Sequence, residues 1–184
     1  MVKGGKRKMV FTETKLKGAF IIELEKNEDE RGFFARTFCV DEFQARGLNG
    51  RVVQCSISFN KERGTLRGLH WQETPHAEAK LLRVTRGAIF DVIIDVRAGS
   101  PTFKQWFGTE LTADNRRQVY VPEGFAHGFQ TLEDNTEVFY QMSASYAPEL
   151  ARGVRWNDPA FGIQWPQVER RIMSKRDANY PDFE

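Results

Sequence analysis

The sequence has little histidine and little cysteine, and it has no long apolar run. Its 184 residues include three histidines and two cysteines, Cys39 and Cys55. So few cysteines favour two reduced thiols in a cytoplasmic protein over a disulfide framework. The most apolar stretch, AIFDVIIDV at 88–96, carries two aspartates and is too short to cross a bilayer. The composition therefore argues against a disulfide scaffold and against a membrane protein.

Charge of either sign is not in excess. The formal net charge is +2, which is too small to indicate nucleic-acid binding. The one basic cluster is the head MVKGGKRK, which has no interleaved aromatic residues and no apolar segment after it. We expect residues 1–9 to form a flexible basic tail, with nucleic-acid binding as the alternative, and 10–184 to form a single domain.

Short runs rich in Val, Ile, Phe and Thr recur between turn-forming segments, which is typical of an all-β sandwich or barrel. One short helix is expected at 41–47, and an ordered loop with a short helix after Pro148. No long helices alternate with the strands, which argues against a doubly wound α/β sheet. The ten predicted strands cover 18–25, 32–38, 51–59, 65–72, 79–86, 88–96, 103–111, 117–121, 125–132 and 137–146.

The alternation within 88–96 predicts one apolar face and one polar face, because successive side chains of a strand point to opposite sides. Asp91 and Asp95 share the face that we expect to lie outward. The face expected to point into the core holds Phe90, Val92, Ile94 and Val96.

The same alternation puts four ionisable side chains on apolar faces of four different strands: His70, Lys80, Tyr140 and His127. Each has a structural alternative. A histidine or tyrosine could be a hydrogen-bonded core residue, and the lysine could reach water through its stem. A barrel, however, brings inward residues from several strands into one cavity, so we interpret the four as one site.

Such a set suits proton abstraction beside a carbonyl. Imidazole titrates near neutral pH and serves as a general base, and a buried ammonium stabilises an enolate oxygen. A tyrosine across the cavity could return a proton to the opposite face of the carbon. Reprotonation there inverts the carbon without any cofactor.

A metal-dependent barrel is the competing interpretation. The segment VPEGFAHG forms a tight turn that delivers His127, as metal-binding barrels often do. Those barrels usually add a His-x-His pair, but Gln72 stands two residues after His70, and Lys80 would repel a cation. We therefore predict no metal.

Motifs spread along most of the chain resemble the dTDP-4-dehydrorhamnose 3,5-epimerase family, nucleotide-sugar epimerases of the cupin superfamily. The resemblance implies a jelly-roll β-barrel, a nucleotide-sugar substrate, no cofactor, and a homodimer formed by strand exchange. The motifs run in order from about residue 10 to 182: DERGFF (29–34), LRGLHWQ (66–72), KLLRVTRGAIFDVIIDVR (80–97), SPTF (100–103), NRRQVYVPEGFAHGF (115–129), VFYQ (138–141) and WNDPAFGIQWP (156–166).

The resemblance also implies a role for individual residues. His70 matches the catalytic base, Asp177 the acid that orients it, Lys80 the enolate stabiliser and Tyr140 the opposing acid. Substrate-binding positions of the family match Arg67 near the phosphates, His127 at the sugar, and Gln54. Arg31 and Phe33 fall in the segment that, in this family, reaches nucleotide bound to the partner subunit. Apart from the resemblance, a nucleotide base needs a flat apolar partner, which Phe33, Trp71 or Tyr146 could supply.

Two points stay open at this level. Arg67 and His70 are an odd number of residues apart, that is, of opposite parity, so a regular strand points their side chains to opposite faces and cannot aim both at one ligand. We therefore expect a bend or bulge at Gly68. The chain also departs from the family pattern at Arg36, Ser56 and Gln141, which leaves the exact sugar and base undefined. Inversion of C3 and/or C5, single inversion on a related keto-sugar, and sugar-nucleotide binding without catalysis remain as readings.

Overall fold

A computed structural model describes residues 8–183, and nearly all of its regular structure is antiparallel strand. Two short helices are present, α1 (Val40–Gln44) and α2 (Lys175–Ala178). The strands are β1 (Met9–Glu13), β2 (Phe20–Leu24), β3 (Asn27–Asp29), β4 (Gly32–Phe34), β5 (Gln54–Asn60), β6 (Leu66–Gln72), β7 (Lys80–Arg86), β8 (Ala88–Asp95), β9 (Trp106–Thr112), β10 (Gln118–Val121), β11 (Phe125–Thr131), β12 (Thr136–Met142) and β13 (Ala151–Gly153).

Two sheets enclose the main core. The larger has the strand order β1-β2-β10-β7-β12-β5 and the smaller β13-β6-β11-β8-β9, while β3 and β4 form a separate hairpin. Apolar side chains of both sheets meet between them, among them Leu82 and Val84 from one sheet and Phe125 and Phe129 from the other. This confirms the predicted all-β jelly roll, and it makes the space between the sheets the place where inward side chains converge.

The ten predicted strands and the first helix are all present, with shifted ends. Three strands were not expected: β1, β3 and β13. Each has a sequence of five residues or fewer in which charged groups or glycine weaken the apolar alternation. Met9 is only 2% exposed at the start of β1. Met9 therefore belongs to the folded part of the chain and not to the predicted tail, and residues 1–7 of that prediction lie outside the described part of the chain.

The expectation that Asp91 and Asp95 face outward is wrong. Ile89 and Ile93, which share their parity, pack in the core between the sheets. The other face of β8 holds Val92 and its neighbours, and it is covered by a C-terminal segment that includes Phe161 and Trp165. Because both faces of β8 are buried, its apolar side chains could not indicate which face is inner.

No helix among residues 8–183 is long and apolar enough to cross a membrane. Cys39 and Cys55 are both unpaired, in agreement with the expectation of two free thiols.

Candidate active site

A cavity of about 310 Å³ opens between the sheets, and six of the ten predicted site residues line it. They come from five elements, so the cavity exists only in the folded chain. These six residues are Arg67 and His70 on β6, Lys80 on β7, His127 on β11, Tyr140 on β12 and Asp177 on α2.

A bulge in β6 aims both Arg67 and His70 into this cavity. The pairing of β6 with β11 shifts there: His127 faces His70, but Phe129 faces Arg67, so β6 carries one extra residue. Gly68 lies in the bulge with a φ of 120°, and a Cβ on it would come within 2.6 Å of the Gly128 Cα. Glycine is needed at this point for both reasons. The predicted bulge is therefore confirmed.

His70 is held by a carboxylate from the C-terminal segment. Its Nε2 lies 2.8 Å from Asp177 Oδ1, and the two side chains are 42% and 8% exposed. Burial acts to raise the pKa of Asp177, but hydrogen bonds from His70 and from the Gly68 N–H outweigh it and hold that pKa below its ordinary value. With Nε2 engaged by a carboxylate, Nδ1 is the ring nitrogen left to accept a proton.

The geometry of α2 explains how so short a helix can place Asp177. Ser174 caps the helix, and its hydroxyl accepts a hydrogen bond from the Asp177 N–H at 3.0 Å. The helix of four residues has little stability of its own, so the cap and the contact with His70 hold it against β6.

In a second histidine–carboxylate pair, His127 lines the cavity and its partner Asp91 is buried outside the lining. His127 Nε2 is 2.7 Å from Asp91 Oδ1, with side chains 6% and 1% exposed. The His127 and Tyr140 rings meet edge to face, with centroids 6.0 Å apart. Burial, and then the negative charge of Asp91, raise the pKa of Tyr140 well above its ordinary value. Tyr140 is therefore a protonated phenol at neutral pH and a possible proton donor.

Lys80 enters the cavity from the first position of β7. Its Nζ lies 2.8 Å from Glu78 Oε1, and each side chain is only 11% exposed. An ammonium that is held in place and largely shielded from solvent is a preorganised partner for a developing oxyanion.

A smaller cavity of about 210 Å³ shares His70, Lys80 and Asp177 with the first. Tyr146 lines it, together with the cationic side chains Arg152 and Arg176. Gln54 does not line either cavity, but its Oε1 accepts a hydrogen bond from the Tyr146 N–H at 3.0 Å. The groove therefore continues from the reactive groups toward an aromatic side chain and two guanidinium groups.

Arg31 and Phe33 are not brought to this groove within the chain. Both lie at the β3–β4 hairpin, where Arg31 pairs with Asp29 and its side chain is 88% exposed. Phe33 is 39% exposed and lines a different cavity of about 350 Å³ with Arg116. Residues that act on a partner subunit's ligand would lie away from their own cavity.

Three further positions bear on the comparison with the family pattern. Ser56 lies opposite Tyr140 in the β5–β12 ladder, close to the cavity. Gln141 has the opposite parity, and Arg36 hydrogen-bonds Glu42 on α1 at 2.9 Å. Only the departure at Ser56 is therefore placed near the reactive groups.

The described residues contain no group of three or more His, Cys, Asp or Glu side chains arranged to hold a metal ion.

Comparison with known proteins decides the family. The family model for dTDP-4-dehydrorhamnose 3,5-epimerase matches residues 13–184. The chain belongs to this family. A dTDP-4-dehydrorhamnose 3,5-epimerase from Methanothermobacter thermautotrophicus is 47% identical over 173 residues, which cover 92% of each protein.

Solved structures of the family have the same fold. The dTDP-4-dehydrorhamnose 3,5-epimerase of Bacillus anthracis, with TDP and PPi bound, is 43% identical with a TM-score of 0.91, over 96% of this chain and 100% of that one. A 3′-monoepimerase from Streptomyces bikiniensis, in complex with dTDP-quinovose, is 36% identical with a TM-score of 0.84, over 92% of this chain and 85% of that one.

Three polar residues beside the reactive groups were not predicted as site residues from the sequence: Asp91, Ser58 and Glu78. Asp91, the partner of His127, was placed on the wrong face, because both faces of β8 carry buried apolar residues. Ser58, whose buried Oγ has no partner among the described residues, shares parity with Gln54 and could have been found. Glu78 lies just before the start of β7 and forms an ion pair with Lys80. The only signal for it in the sequence was its spacing of two residues from Lys80, which puts both side chains on the same face.

Proposed function

We propose that the chain inverts C3 and/or C5 of a dTDP-4-keto-6-deoxyhexose, by proton abstraction through an enolate. One observation carries this proposal: a base, an ammonium group and a neutral phenol from three strands line one cavity of about 310 Å³. Family membership supports the same reaction and the same substrate.

His70 is the proposed base. Its Nδ1 takes the proton from the carbon beside the C4 ketone, the C–H electron pair moves into an enolate, and negative charge develops on the C4 oxygen. Asp177 orients the ring and stabilises the imidazolium that forms. Lys80 stabilises the charge on oxygen by hydrogen bonding.

Tyr140 is the proposed acid. Its phenol delivers a proton to the opposite face of the same carbon, which restores the ketone and inverts the centre. Solvent then restores the protonation of both side chains. Because C3 and C5 both adjoin the ketone, one base and one oxyanion partner could serve each carbon in turn.

The remaining predicted residues are proposed to bind substrate. Arg67 would hold the pyrophosphate, since a guanidinium group binds two phosphate oxygens at once. His127 would contact the sugar, while Gln54 and Tyr146 would contact the nucleotide.

We further propose a homodimer formed by strand exchange, in which Arg31 and Phe33 reach nucleotide bound to the partner. β5 is an edge strand of the larger sheet. Its outward Ile57 and Phe59 are 61% and 45% exposed, and an exposed apolar edge of this kind favours pairing with another chain. A cytoplasmic location is part of the same proposal.

A single inversion is the second candidate. The similarity to a 3′-monoepimerase favours it, since a chain 36% identical to this one bears that name. The number of inversions depends on how the sugar turns in the cavity and on whether the acid reaches each carbon.

The test is solvent deuterium incorporation. Purified protein is incubated in D₂O with dTDP-4-keto-6-deoxyglucose, and the product is read by mass spectrometry and NMR. Label and inversion at both C3 and C5 are expected for a 3,5-epimerase, and label at one carbon would support the single inversion. Tight binding without label would contradict the proposal and indicate a non-catalytic binding protein.

A further inference from the structure

The ion pair of Lys80 with Glu78 is enclosed, unlike a surface ion pair. The nitrogen and oxygen are 2.8 Å apart, and both side chains are 11% exposed. In the Arg117–Glu23 pair the side chains are 47% and 45% exposed. Enclosing two charges costs solvation free energy, so the pair is poorly explained as a contribution to stability alone.

The backbone fixes both charged groups on the cavity side. Glu78 and Lys80 have the same parity, and Ala79 between them is 3% exposed. The Ala79 N–H donates to Ser143 Oγ at 2.7 Å, and the Ser143 N–H donates to the Ala79 carbonyl at 3.0 Å. These bonds tie the start of β7 to the chain that leaves β12, and so they fix the backbone from which both side chains project.

The two side chains occupy different parts of the groove. Lys80 lines both cavities, whereas Glu78 lines only the smaller one, beside Arg152 and Tyr146. Glu78 therefore holds the ammonium from the side away from the space that Tyr140 and His127 enclose.

We propose that Glu78 is a positioning residue that holds the Lys80 ammonium where negative charge develops on the substrate's C4 oxygen. This inference rests on the proposed epimerase function. An ammonium group has three N–H donors, so one bond to Glu78 leaves two for the substrate oxygen. The pair also orders a flexible four-carbon stem before substrate arrives, and it compensates the charge in a shielded site.

The Glu78 carboxylate also has an effect that would slow the reaction, and the experiment must distinguish it from positioning of the ammonium. A carboxylate beside the lysine reduces the field that the ammonium exerts on an enolate. If that effect were the larger, removal of the charge on Glu78 would accelerate the reaction.

The experiment compares Glu78→Gln with Glu23→Gln, a matched control in an exposed pair. Glu78→Gln keeps the volume and one hydrogen bond but removes the charge. We expect kcat to fall about tenfold to 100-fold with KM nearly unchanged, because misplacing a reacting group acts mainly on the chemical step. Glu23→Gln should match the wild type. A Glu78→Gln rate equal to or above that of the wild type would overturn the inference.

A double-mutant cycle with Lys80→Met separates positioning from a merely structural role. If Glu78 acts through Lys80, then Glu78→Gln causes no further loss of deuterium exchange in the Lys80→Met background. Equal fold losses in both backgrounds would mean that Glu78 acts on the fold, and would overturn the inference. Absence of exchange by the wild type would overturn the proposed function and this inference with it, whereas a fast Glu78→Gln variant overturns this inference alone.

Discussion

The two histidines that line the cavity are each paired with a carboxylate, and the two pairs differ in exposure more than in geometry. The His70–Asp177 and His127–Asp91 contacts are 2.8 Å and 2.7 Å long. The His70 ring is 42% exposed, whereas the His127 ring is 6% exposed. The first pair joins a strand to a short helix, and the second joins two neighbouring strands of one sheet.

This difference indicates a division of labour. A base must reach the substrate and exchange its proton with water, which suits His70. His127 is enclosed by the core and by Tyr140, so its geometry is fixed and its protons are shielded. Similar hydrogen bonds therefore support a reactive group in one place and a binding surface in the other.

The largest expected effect follows loss of the base. His70→Asn removes the proposed proton acceptor, so the rate of inversion should fall about 10³-fold or more. Because the ring is partly exposed, the free energy of unfolding should change little. NMR of the product and urea unfolding measure the two quantities. Turnover near the wild-type rate would remove His70 from the mechanism.

The carboxylate partners give the next largest effect. Asp177→Asn should lower kcat about 100-fold, because the amide holds the ring without stabilising the imidazolium. Asp91→Asn should instead lower the free energy of unfolding by about 1–3 kcal/mol, since it disturbs a buried charged hydrogen bond. Kinetics and urea unfolding of both variants test the contrast. Equal losses of kcat would show that the two pairs do not differ in role.

A smaller and more selective effect is expected at the acid. Tyr140→Phe removes the phenolic proton but leaves His70 and Lys80 in place. Deuterium exchange should continue at a reduced rate, while inversion falls about tenfold to 100-fold relative to exchange. The ratio of label to inverted product measures this directly. A parallel loss of both would assign Tyr140 to positioning or binding.

The smallest effect on turnover is expected at Asp95, a buried carboxylate outside the cavity. Burial raises its pKa, but hydrogen bonds from Arg97, Ser100 and Thr102 outweigh burial and lower it from 3.8 to about 2. Since the folded-state pKa is depressed, the stabilisation is complete above pH 3.8 and is lost as the pH falls through 2.

Asp95→Asn should therefore leave kcat unchanged and lower the free energy of unfolding by about 2 kcal/mol at pH 7. The deficit relative to the wild type should shrink below about pH 4, and urea unfolding across pH measures it. A deficit that is constant with pH would mean that charge on Asp95 is not its cause.

The strands and most of the cavity could be predicted, because alternation of apolar side chains reports directly on a sheet with one buried face. Lys80, His127 and Tyr140 were placed correctly in this way. The method fails where both faces are buried, and so it misplaced Asp91 on β8. It also needs an unbroken register, and His70 faces the cavity only because of the bulge at Gly68.

Asp177 could not be predicted from local pattern at all. A helix of four residues has no periodicity to detect, and the segment gains its place from the Ser174 cap and from His70. Only the resemblance to the family pointed to it. The alternation of apolar and polar residues along a strand carries no information about long-range contacts of this kind.

The measurement that tests the central claim most directly is deuterium exchange at C3 and C5 by His70→Asn and His127→Asn, side by side with the wild type. Both variants are first checked for a folded state by urea unfolding. We expect no detectable label with His70→Asn and continued, slower labelling with His127→Asn. Labelling by His70→Asn at the wild-type rate, or its loss only in folded His127→Asn, would contradict the account.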